Sequence, residues 1–146
     1  LQEKYNNLKI LDASRNKKIT SKGIQCLIQL YALNLSYNDL TSLPDIICNL
    51  SSLQRLNISH NKLTSLPDSI SNLSSLQYLD ISYNNFTSVP DIIYNSSSLR
   101  FLNITNNGLT SLPELCKKSK FNCIIMYSSP KYYYPSDGLD GLCYSN

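Results

Sequence analysis

The chain has 146 residues, of which 42% are hydrophobic, and its formal net charge is +3. This size and composition suit a single domain with a hydrophobic core, and the mild basicity lies below that of typical nucleic-acid-binding modules. No apolar run approaches the roughly 20 residues needed to span a bilayer. We therefore expect neither a nucleic-acid partner nor a membrane span.

One sequence unit recurs through most of the chain. Asn38, Asn61, Asn84 and Asn107 stand 23 residues apart, as do Pro44, Pro67, Pro90 and Pro113. A fixed period of this length predicts a solenoid, in which copies of a small unit stack on one another. We divide the chain, as one domain spanning 1–146, into units 8–29, 30–52, 53–75, 76–98 and 99–121.

The chain begins irregularly. Residues 1–7 are interpreted as the end of a preceding repeat or as an N-terminal cap, which suits either a mature product or a fragment of a longer protein. Unit 8–29 is one residue shorter than the others, since Asn16 precedes Asn38 by 22 residues. Its segment KKITSKGIQCLIQ predicts a short amphipathic helix with Ile24, Leu27 and Ile28 facing inward.

Unit 53–75 shows the regular pattern. Leu56 and Ile58 alternate with polar residues, which predicts a short strand with one buried face. Leu63 and Leu66 are expected in the core, and Pro67 fits the start of a helical turn in an irregular or 3-10 return. Since one unit cannot bury its own flat sides, stability depends on stacking.

The chain ends differently. One period after Leu102 and Ile104 come Ile125 and Tyr127, so the segment CIIMY predicts a closing strand. Residues 122–146 are assigned to this strand and to a C-terminal cap or tail. Either the tail folds over the edge strand or it is disordered.

The pattern LxxLxLxxNxLTSLPxxI, filled by Leu53, Leu56, Ile58, Asn61, Leu63, Leu66, Pro67 and Ile70, resembles the leucine-rich repeat family. Its 23-residue LPxxI form resembles the class of plant intracellular Ras-group and microbial repeat proteins. The resemblance implies an α/β solenoid, right-handed and curved, with a parallel sheet on its concave face and irregular, 3-10 or short helical returns on its convex face. It also implies a protein partner bound on the concave face.

The repeated asparagine has a structural interpretation. Where the chain leaves each strand, backbone groups lose their partners, and a buried amide carries both donors and an acceptor to satisfy them. We expect such a ladder from Asn16, Asn38, Asn61, Asn84 and Asn107.

Alternation along the strands predicts four rows on the concave face. The entry row is Ile10, Ala32, Arg55, Tyr78 and Phe101. The amide row is Asp12, Asn34, Asn57, Asp80 and Asn103. The serine row is Ser14, Ser36, Ser59, Ser82 and Thr105. The turn row is Arg15, Tyr37, His60, Tyr83 and Asn106.

The entry and turn rows vary most and carry aromatic residues, which are common at protein interfaces. The predicted partner-binding residues are Tyr37, Arg55, His60, Tyr78, Asp80, Tyr83 and Phe101. The alternative is that these aromatic side chains only pack on one another and cover the sheet.

The sequence predicts no catalytic residues, metal site or cofactor. His60 is the only histidine, and no motif places a nucleophile beside it. Cys26 and Cys48 fit buried positions on the convex return. Cys116, Cys123 and Cys143 lie near the C-terminal end, and in an oxidising compartment one bridge, such as Cys116 to Cys143, is a candidate. No CxxC pair is present, and we favour reduced thiols.

The sequence therefore predicts a non-catalytic protein-interaction module, as the recognition part of a larger protein. The alternative is an extracellular adhesion or surface receptor protein. We favour a cytoplasmic location over a secreted or cell-surface one, and the oligomeric state stays open.

Overall fold

A computed structural model describes residues 7–16, 27, 29–92, 96–110, 123–127 and the backbone of 142–143. Seven strands form one sheet in chain order. They are β1 Ile10–Asp12, β2 Ala32–Asn34, β3 Arg55–Asn57, β4 Tyr78–Asp80, β5 Phe101–Asn103, β6 Ile124–Met126 and β7 Leu142–Cys143. Strands β1 to β6 run parallel, which confirms the predicted solenoid.

The strands are short because the repeat supplies three extended residues before the chain bends. The central residue of each faces the core, and Leu33, Leu56, Leu79 and Leu102 are at most 2% exposed. The flanking residues point to the other face, as the period of two in a strand requires. Even the short first unit stays in register, since Leu11 pairs with Leu33.

The C-terminal end of the sheet is partly covered by the chain itself. Strand β6 lies within the CIIMY segment, and Ile125 pairs with Leu102. Strand β7 then pairs antiparallel with β6, with Cys143 opposite Ile125. This pairing supplies backbone partners to an edge strand that would otherwise expose them.

Among the described residues, two 3-10 helices lie on the convex side, at Asp45–Asn49 and Asp68–Asn72. Pro44 and Pro67 occupy their N-cap positions with extended backbone conformations. Proline suits the start of a helical turn, because the N–H that it lacks would have no partner there. Of the helix predicted in unit 8–29, the structure describes only Leu27, which is buried, and Gln29, which is exposed; Ile24, Ile28 and Cys26 lie outside the described residues.

The core lies between the sheet and the convex returns. Leu63 and Ile70 are almost fully buried, as expected, and Phe86 fills the position of Leu63 in the next unit at 1% exposure. Leu66, however, is only half-buried, as is Val89 in the next unit. Both side chains still pack against the core cluster, so Leu66 lies at the edge of the core and not in its interior.

The repeated asparagines bridge consecutive units. Asn61 is 8% exposed, and its Oδ1 accepts the backbone N–H groups of Asn38 and Leu40 at 3.1 and 2.9 Å. Its Nδ2 donates to the carbonyl oxygens of Leu35, Ile58 and Ser59 at 3.0, 3.0 and 3.1 Å. One side chain thus satisfies five backbone groups in two units.

The other asparagines repeat this pattern. Asn84 donates to the carbonyls of Ile58, Ile81 and Ser82 and accepts the N–H of Leu63. Asn107 makes the equivalent bonds one unit after Asn84, and Asn38 makes them one unit before Asn61. At the N-terminal end, the backbone N–H of Asn16 donates to the Oδ1 of Asn38.

We expect Asn61→Ala to lower the free energy of unfolding by about 1–3 kcal/mol, because buried backbone groups would lose their partners. Thermal or urea unfolding measures the loss. The matched control is Ser65→Ala, a removal of one polar group at an exposed position of the same unit. Equal stabilities of the two variants would contradict the role assigned to Asn61.

Candidate functional site

Strand register brings the entry row together on the concave face. Arg55 pairs with Tyr78, and Tyr78 pairs with Phe101. The rings of Tyr78 and Phe101 stack with centroids 4.7 Å apart and planes 2° from parallel. The guanidinium carbon of Arg55 lies 4.7 Å from the Tyr78 ring centroid on its other side. Arg55, Tyr78 and Phe101 therefore form one continuous stack.

The turn row forms a second stack. His60 lies between Tyr37 and Tyr83, with ring centroids 4.0 Å apart on each side and planes 10° and 11° from parallel. The guanidinium of Arg15 lies 4.9 Å from the centroid of Tyr37. Tyr37 and Tyr83 nevertheless remain 46% and 49% exposed. The rings cover one another's faces and present their edges and hydroxyl groups to solvent.

The turn row also has an unusual backbone. Arg15, Tyr37, His60, Tyr83 and Asn106 have positive φ angles of 54°, 60°, 53°, 52° and 53°. This left-handed region costs a residue with a Cβ roughly 1–2 kcal/mol. Each of these residues directly precedes a ladder asparagine. The hydrogen bonds of the ladder therefore stabilise the same turn in which the backbone is strained. The sequence shows no glycine at this position and gave no indication of the strain.

The amide row closes the turns that follow the strands. The side-chain oxygens of Asn34, Asn57 and Asp80 accept the backbone N–H two residues later at 3.1, 3.0 and 3.0 Å. Asp80 also accepts the Ser82 hydroxyl at 2.6 Å, and its second oxygen accepts the Asn103 amide at 3.3 Å. Asp80, predicted to bind the partner, thus has both carboxylate oxygens engaged within the sheet.

The serine row does not lie on the concave surface as expected. Ser36, Ser59 and Ser82 are only 5%, 5% and 4% exposed. The prediction was wrong for these three because the strand ends before them, and the bend after each amide-row residue turns the serine inward. The usable surface therefore consists of two stacks with the amide row between them.

Tyr78 lies partly in the surface that it helps to form. Its burial raises the pKa of the phenol, and the nearby carboxylate of Asp80 raises it further, while Arg55 acts in the opposite sense. The Tyr78 hydroxyl is thus a neutral hydrogen-bonding group at physiological pH.

The described cysteines are buried thiols. Cys48 and Cys123 are free, at 1% and 7% exposure. Burial raises the pKa of both thiols, that of Cys123 to about 11 despite the opposing charge of Arg100. Cys116 and the side chain of Cys143 lie outside the described residues, so their proposed bridge stays a prediction.

The described residues provide neither a metal-ligand cluster nor a membrane-spanning helix. Within them, no three His, Cys, Asp or Glu side chains are placed to hold a metal ion. The same part of the chain contains no helix with the length and apolar character needed to cross a membrane.

Two surface depressions were not foreseen from the sequence. A convex groove of about 530 Å³ lies between successive returns and is lined by Leu66, Pro67, Phe86 and Val89 among others. A depression of about 230 Å³ lies on the concave face around Ala32. In the sequence, the concave depression could have been predicted only from the small side chain of Ala32, which lies between larger residues of the entry row.

The chain belongs to the leucine-rich repeat family. The family model described as a leucine-rich repeat region matches residues 2–126. Proteins of this family are typically non-catalytic interaction modules that bind other proteins. A search of curated proteins found no match.

Several solved structures share the fold. The functional domain of InlJ from Listeria monocytogenes, which includes a cysteine ladder, is 30% identical and covers 80% of this chain with a TM-score of 0.60. A leucine-rich repeat protein of Leptospira interrogans is 27% identical over 82% of this chain, with a TM-score of 0.66. InlP of Listeria monocytogenes is 31% identical over 79%, with a TM-score of 0.60. This chain spans 24%, 37% and 30% of their respective lengths.

The strain at the turn row leads to a test at Tyr83. We expect Tyr83→Gly to be more stable than Tyr83→Ala by about 1 kcal/mol, because glycine adopts positive φ without steric cost. Chemical denaturation of both variants measures the difference. At Gln77, which is exposed and lacks a positive φ, the same comparison should favour alanine. If the alanine variant were the more stable one at both positions, the backbone at Tyr83 would not be strained.

Buried Cys123 should react slowly. With a pKa near 11 instead of 9, its thiolate fraction at pH 8 falls about a hundredfold. Alkylation by iodoacetamide, followed by peptide mass spectrometry, should therefore proceed much more slowly in native protein than in urea. Equal native and denatured rates at Cys123 would show that the thiol is accessible and ordinary.

Proposed function

We propose that this chain is a non-catalytic recognition module that binds a protein partner on its concave face, as part of a larger protein. The observation that carries this proposal is the pair of exposed aromatic stacks, one in the entry row and one in the turn row. Tyrosine, phenylalanine and arginine are enriched where protein interfaces gain most of their binding energy.

The arrangement of the rings favours a protein over nucleic acid. Single-stranded nucleic acids bind by laying bases on open aromatic faces. Within the stacks, the faces of His60 and Tyr78 are covered on both sides by neighbours. The edges and hydroxyl groups that remain suit the mixed apolar and hydrogen-bonding contacts of a protein surface.

The charge pattern supports the same class of partner. On the concave face, the positive charges of Arg15 and Arg55 are balanced by the negative charges of Asp12 and Asp80. These rows therefore lack the excess of positive charge that binding to a phosphate backbone requires. Lys62, close to the turn row, pairs with Asp39 at 2.8 Å.

The position of His60 supports a binding role over a catalytic one. Its imidazole is held in the middle of the turn-row stack, with a tyrosine ring 4.0 Å away on each side. A general base needs a nucleophile within hydrogen-bond reach, and the structure gives His60 ring contacts instead.

We expect Tyr78→Ala combined with Phe101→Ala to abolish capture of the partner while leaving the fold intact, since both side chains lie only half-buried on the concave face. Affinity capture from native lysate, compared by quantitative mass spectrometry, measures the loss. The control is Tyr31→Ala, which removes an exposed tyrosine one residue before the row. Undiminished capture by the double variant would refute the concave-face proposal.

A further inference from the structure

The depression on the concave face has a defined shape. Ala32 forms its floor in the entry row, where every neighbouring unit carries a larger side chain. Ile10 of β1 stands on one side and is 66% exposed. Arg55 and Tyr78 stand on the other side, and the volume of about 230 Å³ can accept one side chain. We call this depression the Ala32 socket.

Arg55 is a hydrogen-bond donor at the edge of the socket that no acceptor among the described residues engages. Its guanidinium lies 4.7 Å from the Tyr78 ring centroid, and this stacking restricts its orientation. Within the part of the chain that the structure describes, no carboxylate forms a salt bridge with it, and its side chain donates no hydrogen bond. A guanidinium offers up to five N–H groups in a geometry that matches a carboxylate.

Asn57 adds a second donor. It lies two residues after Arg55 on β3 and therefore on the same face. Its Oδ1 accepts the backbone N–H of Ser59 at 3.0 Å, while its Nδ2 donates to none of the described residues. Two adjacent donors thus face the socket without acceptors.

The acidic residue in the socket is already engaged. Asp12 accepts the backbone N–H of Ser14 at 2.8 Å, and hydrogen bonds from Ser14 lower the pKa of its carboxyl. Asp12 also lies on β1, two strands from Arg55, which corresponds to about 9–10 Å between backbones. The unmet hydrogen-bonding capacity of the socket therefore lies at its Arg55 side and calls for an acceptor.

We propose that the Ala32 socket binds a glutamate side chain of the protein partner. This inference rests on the proposed function and adds to it the chemistry of one contact. The two methylene groups of the glutamate pack against Ile10 and Ala32, and its carboxylate accepts hydrogen bonds from Arg55 and Asn57. Aspartate lacks one of these methylene groups, and lysine brings a like charge to Arg55.

A selection experiment tests the proposal. The immobilised chain is offered a displayed library of random linear peptides, and the enriched sequences are compared among variants. Ala32→Leu fills the socket with a side chain no larger than those of neighbouring units, and Arg55→Gln removes its charge. Arg100→Gln is the matched control, because this arginine is exposed outside the socket and bonds to the carbonyl of Ser97. Circular dichroism establishes that each variant is folded.

We expect the unchanged chain and Arg100→Gln to enrich peptides that share a glutamate, and Ala32→Leu and Arg55→Gln to lose this enrichment at least tenfold. In the best peptide, we expect replacement of that glutamate by glutamine to weaken binding to the unchanged chain by about tenfold or more. The same replacement should have little effect on binding to the Arg55→Gln variant. The proposal would be overturned if the enriched peptides shared no glutamate, if they were enriched in lysine, or if no peptides were enriched. It would also be overturned if replacing the glutamate by glutamine weakened binding equally to the unchanged chain and to Arg55→Gln.

The same selection separates the socket from the proposed function. Tyr37→Ala combined with Tyr83→Ala alters the turn row and leaves the socket residues in place. Some peptides without glutamate could bind the unchanged chain but not this variant. Such peptides would refute the proposed glutamate contact and would support binding on the concave face. Peptides that bind this variant, Ala32→Leu and the double variant of Tyr78 and Phe101 as well as the unchanged chain would count against both.

Discussion

The asparagine ladder is the interaction on which the rest of the structure depends. Every unit has to turn sharply after three strand residues, and each turn directs backbone N–H and carbonyl groups into the core. An amide side chain carries two N–H donors and an oxygen that accepts twice, so one uncharged group can satisfy several of them. Since Asn61 bonds to its own unit and to the preceding one, the ladder also joins the units. The shorter first unit is joined in the same way, through the bonds of Asn38 to Ala13 and Asn16.

The concave face follows from this turn. The residue before each ladder asparagine is held at positive φ, which sets the direction of the turn-row side chains. The residue that ends each strand caps the turn through its side-chain oxygen, so the amide row is largely occupied by the sheet itself. Rings in the turn row are 4.0 Å apart, closer than the spacing of about 4.8 Å between strands. Side chains that converge in this way are expected on the inner side of a curved sheet.

Sequence periodicity was sufficient for the strands and the family, because leucine, asparagine and proline at fixed spacing have few structural alternatives. For the returns it left irregular, 3-10 and short helical forms open. It placed the entry row correctly in the strands, whereas the turn row, predicted from the same alternation, lies beyond the strand ends at positive φ. It failed for Ser36, Ser59 and Ser82, because alternation was extended past the point where the strand ends. It could not reveal the strain at Tyr37 or Tyr83, since tyrosine, unlike His60 and Asn106, is not a residue type enriched at positive φ.

The Ala32 socket was missed for a different reason. A pattern of residue types shows which side chains share a face, but a depression depends on the difference in volume between one side chain and its neighbours. The engagement of Asp80 by Ser82 and Asn103 was hidden in the same way. The sequence marked Asp80 as a charge on the surface, and only the geometry shows that its oxygens already have partners.

The stacking of the rings has a consequence for the entropy that is lost when a partner binds. A tyrosine that is free in solution samples several rotamers, and immobilising such a side chain on binding costs about 0.5–1.5 kcal/mol. In this protein Tyr37, His60 and Tyr83 already restrain one another before any partner arrives. Because these side chains have less rotamer freedom left to lose, binding of a partner of matching shape costs less side-chain entropy at this row than at unstacked tyrosines.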